Sequence, residues 1–302
     1  MVPVPVLVLM FMCMLMFMPV AMALLLMMVM MVFVYHGCNL FPGTKVRRPA
    51  CNRVAKVVRN GYLAIHKPCF VMRKQAVWCI PCTFFIVACV LNLVGCVQES
   101  ALADTVKPAL LPLLCATSLA YVLGRDIVDY RPVGLLAAAQ LFGCLGDVLL
   151  IKDEFAFFTG GMAAFLIGHV CYMCLFGGQS WKGLNVWQWL LSLAVMGGVV
   201  FGLVKAIGIE GVLLGPMAVY GLALMLLIFS ALAGVLRMPR GSRTTWWILL
   251  AGALLFTFSD ACIAMGVFGV MDFALHHFVI MLTYLAAQSL LAVGGVRLAL
   301  GK

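Results

Sequence analysis

Residues 133–151 read VGLLAAAQLFGCLGDVLLI, and residues 246–269 read WWILLAGALLFTFSDACIAMGVFG. Each run is apolar over about the 20 residues that an α-helix needs to cross a bilayer. Each nevertheless contains one aspartate, Asp147 in the first run and Asp260 in the second. A carboxylate within the hydrocarbon costs roughly 2.5 kcal/mol or more, so such residues usually face a polar cavity and take part in chemistry or transport. The two runs therefore indicate membrane-spanning helices that carry a functional site.

The composition of the whole chain indicates the same class of protein. Of the 302 residues, 66% are apolar and only 10% are charged, and the mean hydropathy is +1.16. Soluble domains are roughly half apolar and a quarter charged, so we exclude a water-soluble globular protein. The thirteen cysteines lie mostly within apolar runs, where cysteine packs as a small apolar side chain, and we predict no disulfide framework.

Nine apolar runs are long enough to cross a bilayer, and the last eight form a compact series with short connections. The predicted fold class is therefore all-α: a polytopic membrane helical bundle of eight transmembrane helices, preceded by an extra N-terminal hydrophobic segment. The predicted spans are 7–34, 77–97, 107–124, 133–151, 157–178, 186–204, 212–236, 246–269 and 278–299.

The chain divides into two predicted domains. Residues 1–76 form a hydrophobic segment followed by a basic stretch, and residues 77–302 form the eight-helix membrane domain. Two interpretations of the first domain stay open. In the first interpretation, the run 7–34 is a membrane anchor. In the second, the start codon has been assigned too far upstream, and Met72 is the true first residue.

The basic residues predict the orientation of the chain and its charged partner. Nine of the twenty Lys and Arg residues lie between Lys45 and Lys74, and we expect this stretch to face anionic lipid rather than nucleic acid. With residues 36–76 in the cytoplasm, seventeen of the twenty lie on that side, as the positive-inside rule requires. The three on the other side are Lys107, Lys152 and Lys205.

Few polar side chains occur within the eight-span series, and most of them lie at similar depths in the membrane. At about 1.5 Å of rise per residue, most of them fall in the non-cytoplasmic half of the bundle, so we expect them to meet around one cavity. They are Lys107, Tyr121, Gln140, Asp147, His169, Tyr172, Tyr220, Ser259, Asp260, Tyr284 and Gln288.

Helical spacing groups some of these side chains. His169 and Tyr172 are three residues apart, and Tyr284 and Gln288 are four apart, so each pair shares a helix face. A structural interpretation stays open for several of the others. Tyr121, Gln140 and Tyr172 would bond a neighbouring helix, Ser259 would bond its own backbone turn, and Lys107 would extend to the membrane surface.

The same polar residues belong to a series of ordered motifs. These are Lys107-Pro108; Leu145-Gly146-Asp147; Phe158, Gly161, Phe165, Gly168, His169 and Tyr172; Pro216 and Tyr220; Phe256, Ser259 and Asp260; and Tyr284 and Gln288. In these motifs the chain resembles the YhhN family of membrane proteins, which includes the mammalian lysoplasmalogenases. The resemblance runs from about residue 77 to residue 299. Gly168, before the histidine, stands where the family typically has alanine or a similar small residue.

The resemblance implies an eight-helix fold and an ether hydrolase. Its substrate would be a lysophospholipid, the lysoplasmalogen, whose vinyl ether bond would be hydrolysed to a fatty aldehyde and a glycerophospho-choline or -ethanolamine. The membrane of the endoplasmic reticulum is the location that it suggests. No metal and no cofactor is required for this reaction, and the sequence favours no particular oligomeric state.

The chemistry of vinyl ether cleavage suits two carboxyl groups. Protonation of the outer alkene carbon gives an oxocarbenium ion, and water captures it to form a hemiacetal that breaks down to the aldehyde and the alcohol. Glycoside hydrolysis handles a similar cation with two carboxylates. Our hypothesis makes Asp260 the acid and Asp147, nearer Lys107, the ionised base, although the reverse assignment stays open. The predicted supporting or substrate-binding residues are Lys107, His169, Tyr172, Tyr220, Ser259, Tyr284 and Gln288.

A transporter or proton-coupled carrier is the alternative function. Buried Asp, Lys and His side chains also build proton and ion relays in membranes. Both aspartate helices begin on the cytoplasmic side, and each is followed by a helix with polar side chains, but the spacing of the two halves differs.

Overall fold

The computed structural model describes residues 77–123, 125, 129–152, 154–182, 184–209, 211–239, 241–269 and 275–301. Three features predicted from the sequence lie outside these residues: the hydrophobic run 7–34, the basic stretch 36–76 and the candidate start Met72. The predicted division of the chain at residue 77 stays a prediction.

Eight α-helices and no strand occur in the described part of the chain, which confirms the predicted all-α class. Seven of the helices are long and apolar enough to cross a membrane, while the fifth contains a shorter apolar stretch, Val186–Gly202. A short 3₁₀ turn, Gly211–Leu213, precedes the sixth. The helices are α1 Cys79–Val97, α2 Leu102–Leu123, α3 Arg131–Leu149, α4 Phe155–Ser180, α5 Val186–Ile207, α6 Leu214–Arg237, α7 Arg243–Val267 and α8 His276–Ala299.

The helix ends lie within a few residues of the predicted ones, and the largest difference is at α2. This helix begins at Leu102 rather than at residue 107. Asp104 lies in its first turn, where a negative charge interacts favourably with the helix N-terminus. The charges of Asp104 and Lys107 interrupt the apolar run on which the prediction was based. Lys107 consequently lies more than one turn inside α2 and is half-buried.

Helix α8 lies at the centre of the bundle. It packs against α7 and contacts α1, α2 and α3, and it is the most buried of the seven membrane-length helices. The bundle also brings α4 against α6, which are not neighbours in the chain. Helix α5 packs mainly against α6 and exposes most of its side chains. Polar residues that are far apart in sequence can therefore meet beside α8.

Glycines let neighbouring helices approach closely, as small residues do in membrane proteins. A Cβ atom at Gly234 of α6 would overlap the indole ring of Trp246 on α7, and a Cβ atom at Gly294 of α8 would overlap Leu249 of α7. Trp246 and Leu249 are fully buried, so neither side chain can easily move aside. These two glycines therefore set the distances between α7 and its two neighbours.

Replacing Gly234 with alanine is expected to destabilise the protein. The added methyl group overlaps the Trp246 ring, and overpacking of this kind costs about 1–3 kcal/mol. Gly197→Ala is the matched control, because a Cβ atom at Gly197 meets no atom within 4 Å. Thermal unfolding of the detergent-solubilised variants measures the difference. An unchanged melting temperature for Gly234→Ala would contradict the role given to this contact.

Candidate active site

Asp260 is held at the junction of three helices. The Tyr220 hydroxyl of α6 donates a hydrogen bond to Asp260 Oδ2, with an oxygen–oxygen distance of 2.5 Å. His169 of α4 places its Nε2 atom 4.0 Å from the same oxygen. The side chains of His169 and Asp260 are only 1% and 8% exposed. The structure thus brings these three predicted site residues together.

Asp147 is held by a separate set of side chains. The Tyr284 hydroxyl of α8 donates to Asp147 Oδ2 at 2.7 Å, and Gln288 Nε2 donates to the Tyr284 oxygen at 3.4 Å. The Tyr172 hydroxyl of α4 donates to Gln288 Oε1 at 2.8 Å. Tyr284 and Gln288 thus share one face of α8, as their spacing predicts. This chain of hydrogen bonds links α3, α8 and α4 around a carboxyl group that is 3% exposed.

Two phenylalanines connect the surroundings of the two carboxyl groups. The Phe165 ring of α4 lies 6.1 Å from the Tyr284 ring and 6.3 Å from the Phe256 ring of α7, measured between centroids. The Phe256 ring lies 4.7 Å from the His169 ring. Phe165 and Phe256 were not among the predicted site residues, because they are apolar and the prediction rested on polar side chains within the spans. Their one sequence signal was their place in the YhhN-like motifs.

Glycines on α3 make room for these side chains. A Cβ atom at Gly146 would lie 2.6 Å from Cδ2 of Phe165, so only glycine lets this ring pack beside Asp147 without displacement. A Cβ atom at Gly143 would lie 3.4 Å from Gln288 Nε2 and 3.6 Å from the Tyr284 oxygen. Gly146 therefore makes room for the phenylalanine, while Gly143 lies in ordinary contact with the side chains of Gln288 and Tyr284.

An apolar cleft with an enclosed volume of about 120 Å³ leads to Asp260. Asp260 and Tyr220 line it, and Phe165 forms part of its wall, whereas Asp147 is not among its lining residues. The sequence predicted one cavity shared by both carboxyl groups, and the Phe165 ring against Gly146 explains the difference. The remaining lining residues come from α4 to α7 and their connections and are Leu150, Phe158, Met162, Val200, Val204, Ile209, Met217, Gly221, Leu224, Met225, Thr257, Ala261, Ile263 and Ala264.

Lys107 and Ser259 lie at the edge of this arrangement. The Lys107 ammonium interacts electrostatically with Asp147, but no ion pair within 4.0 Å joins the two among the described residues. The Ser259 hydroxyl donates to the backbone oxygen of Ile280 at 3.0 Å, rather than to its own helix turn. Ser259 thus links α7 to α8. Among the described residues, no three His, Cys, Asp or Glu side chains are grouped as metal ligands.

Tyr121, Gln140 and Tyr172, for which a purely structural role stayed open, make different kinds of contact. Tyr172 bonds Gln288 on a neighbouring helix, as that interpretation predicts. Tyr121 packs edge-on against Trp78 of the segment before α1, with ring centroids 5.5 Å apart. Gln140 is fully buried on α3, and its side-chain amide has no hydrogen-bond partner among the described residues. The expectation that Gln140 bonds a neighbouring helix is therefore not met in that part of the chain.

Comparison with known proteins identifies the family from the same segment of the chain. The model of the YhhN family matches residues 102–295, which contain every predicted site residue from Lys107 to Gln288. The chain belongs to the YhhN family. Helix α1 lies outside the YhhN match, although the sequence resemblance was extended to it. No solved structure matches the chain.

Named relatives of this YhhN protein are found in mammals. It is 34% identical over 188 residues to the Homo sapiens protein named lysoplasmalogenase TMEM86B, covering 62% of this chain and 73% of the relative. It is 26% identical over 235 residues to the Bos taurus protein named lysoplasmalogenase TMEM86A, covering 76% of this chain and 92% of the relative. The predicted resemblance is thus confirmed at the level of the family.

Removing the Tyr284 hydroxyl is expected to destabilise the YhhN bundle. Tyr284→Phe deletes the donor to Asp147 and the acceptor of Gln288, and a buried polar group without its partner costs about 1–3 kcal/mol. Tyr130→Phe is the matched control, because Tyr130 is 71% exposed and surface changes stay within about 0.5 kcal/mol. Denaturant unfolding in mixed micelles compares the two, and equal midpoints would argue against the hydrogen-bond chain.

Proposed function

We propose that this YhhN protein is an ether hydrolase of the lysoplasmalogenase type, which acts on lysophospholipids that carry a vinyl ether. One observation carries the proposal: a buried carboxyl group, Asp260, lies on an apolar cleft, and a second, Asp147, lies behind one wall of that cleft. The similarity to relatives named lysoplasmalogenase supports it. The products would be a fatty aldehyde and glycerophosphocholine or glycerophosphoethanolamine.

Asp260 is the better candidate for the acid, because it lines the cleft and would meet the alkene of a bound chain. Tyr220 donates to one oxygen, Oδ2, which leaves Oδ1 to hold the proton that passes to the outer alkene carbon. The cation that forms is then faced by the newly ionised Asp260 carboxylate, as in glycoside hydrolysis. His169, whose ring nitrogens have no hydrogen-bond partner among the described residues, is placed to orient a water beside it.

Asp147 would act as the base that takes a proton from the attacking water. The positive charge of Lys107 interacts with this carboxyl group and would stabilise its ionised form. The Tyr284 hydroxyl holds one oxygen in a fixed direction. Because Phe165 lies between Asp147 and the cleft, the ring would have to shift for water on Asp147 to reach the cation. The two carboxyl groups thus have different surroundings and different tasks.

The lining of the cleft suits an aliphatic chain. The space enclosed in the cleft, about 120 Å³, is smaller than the roughly 300–1,000 Å³ usual for ligand pockets, so a bound chain would extend beyond it. Asp260 is the acidic residue among the described residues that line the cleft, and most of the others are aliphatic, aromatic or methionine. The bilayer supplies the substrate, and we place the protein in the membrane of the endoplasmic reticulum.

The central test is the loss of each carboxylate. Asp147→Asn and Asp260→Asn are each expected to reduce aldehyde release by about 100-fold or more, because acid–base groups contribute factors of this size. Asp129→Asn is the matched control, since Asp129 is exposed and accepts a hydrogen bond from the nearby backbone nitrogen of Arg131. The assay supplies alkenyl-glycerophosphocholine in micelles and measures aldehyde with a coupled dehydrogenase.

Two outcomes would overturn the proposal. Near-normal turnover in either variant would exclude the two-carboxylate mechanism. Solute or proton flux through proteoliposomes, without any aldehyde from the unmodified protein, would favour the carrier. Diacyl-derived lysolipids serve as the substrate control, because they lack the vinyl ether and should give no aldehyde.

Enlarging Gly221 should shorten the chain that the cleft accepts. Gly221 lines the cleft, and a Cβ atom there would already lie 3.2 Å from Cγ1 of Val200. We expect the leucine of Gly221→Leu to displace two methylene groups of the alkenyl chain, each worth about 0.8 kcal/mol. The kcat/KM for long alkenyl chains should then fall by about tenfold relative to that for shorter ones. Gly198→Leu, whose Cβ atom meets nothing within 4 Å, is the control. The measurement is kcat/KM across a series of alkenyl chain lengths, and an unchanged series would place the chain elsewhere.

A further inference from the structure

Two lysines flank one end of the apolar cleft. Lys152 follows two residues after Leu150, and Lys205 directly follows Val204; both Leu150 and Val204 line the cleft. Both lysines are exposed. They belong to the ends of α3 and α5, which the orientation places on the same, non-cytoplasmic side of the membrane. With Lys107, they are the only basic residues predicted on that side.

The positions of these lysines differ from that of Lys107. Lys107 interacts with Asp147, which does not line the cleft, so its charge serves the buried site. The Lys152 ammonium lies 4.4 Å from the centre of the Phe157 ring, directly before the cleft-lining Phe158. This cation–π contact positions the Lys152 charge at the start of α4. Both lysines are exposed and directly follow, or lie two residues after, cleft-lining residues, so their long side chains can reach a headgroup at the mouth of the cleft.

We propose that Lys152 and Lys205 bind the phosphodiester of the substrate headgroup while its alkenyl carbon lies at Asp260. This inference rests on the proposed function and adds the direction in which the substrate lies. Phosphate oxygens accept strong hydrogen bonds from ammonium groups. The predicted supporting or substrate-binding residues His169 and Tyr220 lie deep in the bundle and engage Asp260 instead.

The depth of Asp260 agrees with the length of the substrate. Seven residues separate Asp260 from the end of α7 at Val267, which corresponds to about 10 Å along the helix. In a lysoplasmalogen, six bonds join the vinyl ether carbon to phosphorus, and six extended backbone bonds span about 7 Å. Lysine side chains are long enough to bridge the remaining few ångströms. The chain beyond the ether then extends inward along the cleft, towards Thr257 and Met225.

The same end of the cleft also carries negative charge. Glu154, directly before α4, is exposed two residues after Lys152. A purely anionic ligand would be repelled by this carboxylate, whereas a phosphodiester attached to choline or ethanolamine has an ammonium group that can face it. The charge pattern at this end therefore fits a zwitterionic headgroup.

The test compares two substrates that differ only in the phosphate. The unmodified protein should cleave alkenyl-glycerophosphocholine with a lower KM than alkenyl-glycerol, which has the same vinyl ether and no phosphodiester. In the double variant Lys152→Ala/Lys205→Ala, the ratio of kcat/KM for alkenyl-glycerophosphocholine to kcat/KM for alkenyl-glycerol should fall by about tenfold, as expected for the loss of hydrogen bonds to charged groups. Its kcat/KM for alkenyl-glycerol should stay the same, which shows that the fold and the chemistry are intact.

Lys182→Ala is the matched control, because Lys182 is exposed at the opposite end of the bundle, after α4. Glycerophosphocholine should compete with the phospholipid substrate in the unmodified protein and should compete less well in the double variant. Inhibition by inorganic phosphate alone to the same degree would overturn the headgroup assignment and indicate a free-phosphate site.

The failure of this inference and the failure of the proposed function look different. If neither substrate gives aldehyde with the unmodified protein, the proposed function is wrong and the headgroup site is lost with it. If both substrates give aldehyde but the double variant keeps the full preference for the phospholipid, the reaction stands and the assignment of Lys152 and Lys205 is overturned.

Discussion

The structure depends on keeping two carboxyl groups inside a membrane bundle. Each is tolerated because a tyrosine from another helix donates to it, Tyr284 to Asp147 and Tyr220 to Asp260. The donors come from α8 and α6, so Asp147 gains its hydrogen bond only when α3 and α8 have assembled, and Asp260 only when α6 and α7 have. Polar residues hold membrane helices together by such bonds. The same contacts that would serve the chemistry therefore also specify how the bundle packs.

The aromatic rings between the carboxyl groups give each of them its own surroundings. Phe165 and Phe256 pack among His169 and Tyr284 and leave Asp260 on the cleft with Asp147 behind it. Two like charges in one apolar site would repel each other strongly, and separation by rings reduces this cost. It also assigns different neighbours: a tyrosine and a histidine to Asp260, and a tyrosine and a lysine charge to Asp147.

Much of the fold could be predicted from the sequence, because apolar length and the distribution of Lys and Arg directly reflect the membrane. The polar site residues were also identifiable, since any polar group inside a span is exceptional. Phe165, Phe256 and the cleft could not be found in this way. In a helix that is apolar on every face, periodicity does not distinguish a ring at the site from a ring in lipid. The early start of α2 was missed because Asp104 and Lys107 resemble a loop in hydropathy.

The arrangement favours an enzyme over a carrier. A proton or ion relay needs polar groups in sequence along the route, and no hydrogen bond joins the side chains around Asp147 to those around Asp260 among the described residues. Phenylalanine rings lie between the two sets instead. The cleft that reaches Asp260 is walled mainly by aliphatic and aromatic side chains, which would bind a hydrocarbon chain and repel an ion. A carboxyl group at the inner part of such a cleft can protonate a lipid, and in the described part of the chain no series of hydrogen-bonded side chains leads from Asp260 to Asp147.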